Sequence, residues 1–422
     1  MTGSGRSPLV FKLPTFSQTV MTILEYGWAV VVVLNGNSVY HANAIGANYF
    51  LELSILLTIV LFFAHNHIYH IRPLRDQVIL SVGMMLYAMA YMSVMQSRMA
   101  IINFVLLFIF ALPGLLLMFS AYRSSGRLMC LMRRIFDVVL VLALISLFYW
   151  VFGVMLQLLR PNCVMYIKWG YLHPVVGFDG VHFMVQIDTT FFPEAFVYRN
   201  SGIFAEAPMF NLWLSLALAG ELFLSTRPSK MRTVVLMVTM LTTMSVTGIL
   251  FIALCAGLWV CLHYRQMDRK QRAAVLVVGC ILLPVVIGAM IATLTLKSDT
   301  ESFTMRLYDY VAGVRLWMDH PLMGAGYGDL TPLMQYAYSP NGVMGFSNSL
   351  TAVLGTGGAW MSVVFYVPHL RMLSVKCTGD AKLVCFGICD LFLFCTTLYF
   401  ARFIGVLLVA FSTIVAYGRW KN

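Results

Sequence analysis

The segment AIINFVLLFIFALPGLLLMFSA at residues 100–121 decides the fold class of this chain. It runs for 22 residues without a charged side chain, and a helix of that length extends about 33 Å at 1.5 Å per residue. This length matches the roughly 30 Å hydrocarbon core of a bilayer. Because backbone polar groups inside lipid must be satisfied within the protein, the segment predicts a transmembrane helix.

Apolar runs of similar length recur along the whole chain. Hydrophobic residues make up 60% of the sequence and charged residues 11%, whereas a typical soluble domain is about 25% charged. The sequence therefore predicts an all-α polytopic membrane protein with about twelve transmembrane helices. The predicted helices lie at residues 18–34, 46–64, 77–95, 100–121, 135–158, 207–225, 232–245, 248–263, 273–295, 349–368, 383–399 and 403–418.

The distribution of basic residues sets the predicted orientation. With the amino terminus in the cytoplasm, 20 of the 28 lysines and arginines fall on the cytoplasmic side and 8 on the outer side. This bias follows the positive-inside rule and places both termini in the cytoplasm. The net charge of +11 is spread over these connections, so we predict the lipid bilayer, and no nucleic acid, as a partner.

Two long outer connections divide the predicted chain into five parts. Residues 1–159 hold helices 1–5, residues 160–206 form the first large loop, and residues 207–295 hold helices 6–9. Residues 296–348 form the second large loop, and residues 349–422 hold helices 10–12. Both loops are rich in aromatic residues and glycine. We therefore expect packed lids containing short helices rather than disordered segments.

The first loop ends in RNSGIFAEAP at residues 199–208. A turn containing Gly202 leads into a helix start, where free backbone N–H groups suit an anion. Arg199 would add a bidentate phosphate donor, and Glu206 lies where a carboxylate favours the helix terminus. The alternative is a capped helix start with an Arg199–Glu206 ion pair.

The second loop contains RLYDYVAGVRLWMDHPLMGAGYG at residues 306–328. It predicts an amphipathic helix that stops before Pro321, followed by a glycine-rich turn. Arg306 and Arg315 are nine residues apart and lie about 180° apart around a helix, so one straight helix cannot direct both at one phosphate. The alternative is local pairing of Arg315 with Asp319 and of Arg306 with Asp309.

The sequence GFSNSLT at residues 345–351 ends the second loop. Asn348 stands where a helix begins, so it is either a substrate contact or an ordinary cap. The chain has no Walker A loop, no G-x-S-x-G elbow and no zinc-ligand spacing. We therefore predict neither a cofactor nor a metal site.

The order of these motifs resembles the O-antigen polymerase and ligase superfamily, whose members are membrane glycosyltransferases of the GT-C class. The shared pattern is an outer loop ending in R-x-x-G-x-F-x-E, a tight serine-containing turn, and a second loop with an arginine, H-P-L-x-G-x-G and a final Ser-Asn. The resemblance covers about residues 160–350. The first five helices match in hydropathy alone.

This resemblance implies an undecaprenyl-pyrophosphate-linked oligosaccharide as donor and another as acceptor, joined by an inverting, metal-independent transfer at the periplasmic face of the bacterial inner membrane. Arg199 and Arg306 would hold the pyrophosphate and Glu206 would act as base. The further substrate contacts are Gly202, Arg315, Tyr310, His320 and Asn348. His320 and Asp309 are the second candidates for the base, and Arg315 has no clear counterpart in the family pattern.

The position before Asn348 separates two readings of the resemblance. Ligases of the superfamily carry a histidine there, and this chain has Ser347. We therefore favour a polymerase that makes a surface polysaccharide such as O-antigen, capsule or exopolysaccharide, with a chain-length regulator as a candidate partner. The alternatives are a ligase and, from another class, a polysaccharide or lipid-linked sugar transporter or flippase.

Overall fold

A computed structural model describes residues 16–43, 49–71, 75–95, 97, 99–169, 171–188, 196–270, 301–336 and 346–417 of the chain. For residues 171 and 301–307 it describes the backbone alone. The described part is mostly helical, as the sequence predicts.

Twelve helices of more than one turn are described, and we number them in chain order. They are α1 (Phe16–Asn35), α2 (Tyr49–Tyr69), α3 (Arg75–Val94), α4 (Ile101–Ser124), α5 (Leu128–Met155), α6 (Ala207–Leu224), α7 (Lys230–Thr242), α8 (Val246–Gln266), α9 (Glu301–Asp319), α10 (Ser349–Met372), α11 (Ala381–Thr396) and α12 (Phe403–Tyr417). Helix α9 lies in the second loop, so this series is not the series of predicted membrane spans.

Eight of the described helices are long and apolar enough to cross a membrane. They are α1 to α6, α8 and α10, and each overlaps a predicted span. The predicted span at residues 273–295 lies outside the described residues. The multi-pass membrane architecture is thus confirmed, and the number twelve stays a prediction.

Three predicted spans form shorter helices. Helix α7 has 13 residues, α11 has 16 and α12 has 15, and 13 residues extend only about 20 Å. In α12, every residue from Phe403 to Ala416 is buried, and the helix packs between α4 and α10. It therefore lies at the centre of the bundle, where other helices surround most of it.

The first loop contains a β-sheet instead of the short helices that we expected. Strands β1 (Cys163–Trp169), β2 (Tyr171–Phe178) and β3 (His182–Met184) form an antiparallel sheet in the order β1-β2-β3. Residues 179–181 join β2 to β3, and Asp179 and Gly180 have φ angles of 48° and 72°, as an Asp-Gly hairpin turn requires. We call the end of the bundle that carries this sheet the sheet end.

The connection between α1 and α2 forms backbone hydrogen bonds with the first loop. Asn43 pairs with Ile167 of β1, and Ser38 pairs with Phe204. The amide of Ala205 donates to the carbonyl of Asn37 at 3.0 Å. The first and sixth helices are therefore joined at the sheet end by backbone hydrogen bonds.

The glycine-rich turn of the second loop closes a break in α10. The helix is interrupted at Gly358, whose φ is 62°, so the usual bonds from Ala359 and Trp360 to carbonyls four residues earlier are lost. Those two amides donate instead to the carbonyls of Pro321 and Leu322, at 2.9 and 3.1 Å. The abandoned helix carbonyls at residues 355 and 356 accept from the amides of residues 325 and 326. The turn therefore provides hydrogen-bond partners for these four backbone groups of the broken helix.

At the opposite end, buried carboxylates lie beside arginines. Glu25 contacts Arg127 at 3.3 Å and Arg134 at 3.1 Å, and Glu221 contacts Arg232 at 2.8 Å. Glu221 lies 14 residues into α6, which is about 21 Å from the sheet end of that helix. Sequence alone had not identified partners for these acids.

Candidate functional site

Arg199 is fixed beside the tight turn between α7 and α8. Its Nε donates to the carbonyl of Thr243 at 2.8 Å, and its Nη1 donates to the side-chain oxygen of Gln186 at 3.2 Å. Its own amide donates to the Gln186 carbonyl at 2.9 Å. The Arg199 guanidinium is therefore held in one orientation at the sheet end.

A cleft of about 390 Å³ lies beside Gln186, the side chain that accepts a hydrogen bond from Arg199. It runs between β2 and the segment after β3, and its wall includes Gln186, Ile187 and Tyr198. Amide, aromatic and apolar groups together suit a sugar, which presents hydroxyls at its edge and C–H groups on its faces.

Gly202 shapes the turn that leads into α6. Its φ is 54°, and an added Cβ would lie 3.1 Å from the Phe210 ring. Its amide donates to the Asn200 side chain at 3.2 Å, and its carbonyl accepts from the amide of Phe183 at 2.8 Å. Because both polar groups of Gly202 are used within the protein, these contacts favour a structural role over the predicted anion contact.

Glu206 immediately precedes α6 and faces the sheet. Its backbone is extended, with φ −159°, and its carboxylate makes no capping bond to its own helix. It accepts a hydrogen bond from the indole of Trp169, at the end of β1, at 3.3 Å. The predicted base thus stands at the junction of the sheet and α6, where it remains partly exposed.

The end of the second loop is locked onto α9. Ser347 donates to the carboxylate of Asp309 at 2.6 Å, and Asp309 is 3% exposed. Asn348 caps α10 by accepting from the amide of Thr351 at 2.9 Å. The Arg306 backbone lies one helical turn before Asp309, and its side chain lies outside the described residues. The structure therefore joins Asn348 to the helix that carries Arg306.

The remaining predicted contacts on α9 take different positions. The hydroxyl of Tyr310 donates to the carbonyl of Cys395, at the end of α11. Arg315 is exposed, and no ion pair joins it to Asp319 in the described part of the chain. Asp319 accepts instead from the hydroxyl of Tyr336. His320 immediately follows α9, and its amide donates to the carbonyl of Leu316 at 3.1 Å.

The structure adds Arg402, which sequence reasoning treated only as a short outer connection. Its Nη1 lies 3.4 Å from Nε2 of His41, and the carboxylate of Glu206 acts on it electrostatically. Burial lowers the pKa of Arg402, and Glu206 opposes that shift. Burial, with a smaller contribution from Arg402, lowers the pKa of His41 to about 4, so the imidazole is neutral at pH 7. A lone arginine between two apolar runs was the available signal.

Hydrogen bonds fix the turn that carries Arg402. The hydroxyl of Ser349, the residue after Asn348, accepts from the amides of Tyr399 and Phe400 at 2.8 and 3.2 Å. The hydroxyl of Tyr327, from the glycine-rich turn, donates to the Phe400 carbonyl at 2.9 Å. The second loop thus positions Arg402, while the first loop supplies Glu206, whose charge opposes the effect of burial on the pKa of Arg402.

No three side chains of the metal-binding types His, Cys, Asp and Glu come together in the part of the chain that the structure describes.

Residues 233–367 match the family model described as O-antigen ligase. The matched range includes Arg306, His320 and Asn348, and it excludes the first-loop motif and Arg402. Neither the curated proteins nor the solved structures gave a significant match to this chain.

Proposed function

With residues 233–367 assigned to the O-antigen polymerase and ligase superfamily, we propose that this chain polymerises undecaprenyl-pyrophosphate-linked oligosaccharide repeat units at the outer face of the bacterial inner membrane. The family supports a glycosyltransferase-like activity on lipid-linked oligosaccharides within a membrane. The donor, the acceptor and the side of the membrane belong to the proposal.

One observation carries it: the two loop motifs are joined at one end of the bundle. Arg402 lies 3.4 Å from His41, in the connection that pairs with the first loop, and the Arg402 turn is bonded to Ser349 at the end of the second loop. A glycosyl transfer needs a phosphate-binding cation, a base and a sugar subsite close together. The sheet end offers candidates for all three: arginines, Glu206 and the cleft beside Gln186.

In the proposed reaction, an acceptor hydroxyl attacks C1 of the donor sugar from the face opposite the diphosphate. The bond from C1 to the phosphate oxygen breaks, and the lipid diphosphate leaves with the electron pair. Arg199 and Arg306 would stabilise the charge that develops on the leaving oxygen, because guanidinium groups fixed before the reaction need no reorganisation. Glu206 would take the hydroxyl proton.

A ligase is the second candidate, because the matched family model is described as O-antigen ligase. Ser347 bears on the choice, since its hydroxyl is used on Asp309, at the position where superfamily ligases carry a histidine. We therefore place the polymerase first.

The deciding experiment uses the purified chain in lipid nanodiscs with a defined undecaprenyl-pyrophosphate repeat unit. A ladder of repeat multiples without any other acceptor is the expected result. A product that forms only after lipid A core is added, with a single transfer per acceptor, would identify a ligase. Movement of the lipid-linked unit across the membrane without any new glycosidic bond would identify a transporter and end the enzyme proposal.

A further inference from the structure

Arg402 carries a positive charge that no acidic side chain neutralises at ion-pair distance in the described regions. Its hydrogen-bond partner there is the neutral imidazole of His41, and the ion pairs within 4.0 Å involve other residues. Glu206 acts on it from farther away. A guanidinium stays charged in proteins, and Arg402 is half-buried, so its charge costs free energy where no close counter-ion is present. An anionic ligand would remove that cost.

His41 supplies a second, independent sign of a missing ligand. Its Nε2 faces the Arg402 guanidinium, which can only donate, so Nε2 is the acceptor and the proton resides on Nδ1. That Nδ1 is buried and has no hydrogen-bond partner among the described residues. Buried donors are nearly always satisfied, so this N–H is available to an acceptor that the protein itself does not provide.

Helix starts add positive potential around the same place. Arg402 immediately precedes α12, and the residues just before it are bonded to Ser349, the first residue of α10. Glu206 immediately precedes α6. Three helix amino termini, each with a partial positive charge, therefore begin near Arg402. The side-chain amide of Asn348, at the start of α10, is 1% exposed, and its Nδ2 donor has no partner in the described structure.

We propose that Arg402, immediately before α12, and His41, in the connection between α1 and α2, bind the lipid-linked diphosphate, one phosphate at the guanidinium and the other at Nδ1 on the opposite side of the imidazole. This rests on the proposed function and deepens it, because it adds a cation from the last connection of the chain to the arginines of the two loops. Arg402 is thereby a substrate-binding residue, and His41 orients its guanidinium while donating from Nδ1.

The test is ligand binding to the purified full chain in detergent, with farnesyl diphosphate as the probe. We compare wild type with Arg402→Met, Arg402→Lys and His41→Phe. The matched control is Arg160→Met, since Arg160 is an exposed arginine after α5. Arg402→Met should weaken farnesyl diphosphate binding about 10- to 100-fold, as expected for loss of a charged hydrogen-bond donor. Arg402→Lys and His41→Phe should each weaken it less, and Arg160→Met should bind as wild type does.

Thermal unfolding without ligand separates binding from structure. Because Arg402 lacks a close counter-charge, Arg402→Met should unfold at the wild-type temperature or above it, and it should lose the stabilisation that farnesyl diphosphate gives the wild type. A lower unfolding temperature for Arg402→Met, together with wild-type affinity in Arg402→Lys and His41→Phe, would make these residues structural and overturn the proposal.

Other ligands distinguish the source of the phosphate. Farnesyl monophosphate and inorganic pyrophosphate should bind more weakly than farnesyl diphosphate, and phosphatidylglycerol should not displace it. Equal displacement by phosphatidylglycerol would indicate a lipid headgroup site and overturn the inference, as would absence of farnesyl diphosphate binding to wild type. A chain that binds the diphosphate through Arg402 but never joins sugars would retain this site and lose the proposed transferase function.

Discussion

Charge is arranged differently at the two ends of the bundle. At the end opposite the sheet, Glu25 is 0% exposed and contacts both Arg127 and Arg134. At the sheet end, Arg402 contacts a neutral histidine, and the Arg199 bonds described above go to a carbonyl and an amide oxygen. Glu25 thus neutralises two arginines at one end, whereas Arg402 contacts an uncharged imidazole at the other.

The charge of the partner separates structural arginines from candidate binding arginines. A buried ion pair contributes little net stability but is costly to break from one side. An arginine held by neutral oxygen or nitrogen acceptors keeps its full charge for an anion. Removing a charge at the opposite end should therefore destabilise the fold, whereas removing one at the sheet end should lower activity and leave the fold intact.

The largest expected effect is on activity at the sheet end. Arg199→Ala and Arg306→Ala should each lower the rate of product formation about 10²- to 10³-fold, because each removes a guanidinium donor to the leaving diphosphate. Lysine at either position should restore little, since a point charge lacks the bidentate fork. The measurement is the rate from a lipid-linked repeat unit, with Arg160→Ala as the control. Wild-type rates in both alanine variants would contradict the site assignment.

The next effect is on stability at the opposite end. Glu25→Ala leaves two arginines beside a buried cavity and should lower the free energy of unfolding by about 3 kcal/mol. Thermal unfolding in detergent measures it, and Glu52→Ala, at an exposed acid of α2, is the control. An unchanged unfolding temperature for Glu25→Ala would remove the contrast between the two ends.

A smaller effect is expected on the pH dependence of stability. His41 has a folded-state pKa of about 4 against an ordinary value of 6.5, so the unfolded chain binds more protons between these values. Stability should therefore fall as pH drops through that window, by about 1 kcal/mol between pH 7 and pH 5 after allowance for its partial exposure. His41→Gln should flatten this slope, and His67→Gln, at an exposed histidine, should not. Equal slopes in wild type and His41→Gln would show that the proton does not add at His41.

The smallest effect is expected on the exposed side of α9. Arg315→Ala and Asp319→Ala should each leave product formation within about twofold of wild type, because surface substitutions of this kind change little. Initial rates measure this. A loss for Arg315→Ala as large as that for Arg199→Ala would return Arg315 to the candidate site and place a second arginine of α9 in it.

Local sequence patterns predict the helices well, because an apolar run needs no information about distant residues. The same patterns also contained the sheet: residues 163–169 and 171–178 lie on either side of a single residue, and Asp179-Gly180 marks the next turn. From the length and composition of this loop we expected a lid that contains short helices, and the hairpin signal was missed.

The charge pairs could not be predicted in the same way. Glu25 and Arg134 are 109 positions apart, and His41 and Arg402 are 361 apart. One sequence shows which residues carry charge, but their pairing depends on how distant helices pack. The motif order still indicated the superfamily whose family model matches residues 233–367, because that order depends on short segments whose sequence is readable one at a time.

The backbone pairing between the α1–α2 connection and the first loop limits how this chain can be divided. His41, Trp169 and Glu206 all precede residue 233, where the family match begins. A chimera that exchanged only the matched segment with a relative would keep the recipient's amino-terminal half as one wall of the sheet end. Grafting experiments should therefore move residues 36–43 and 163–206 together with the matched segment, because these pieces fold against each other as a single layer.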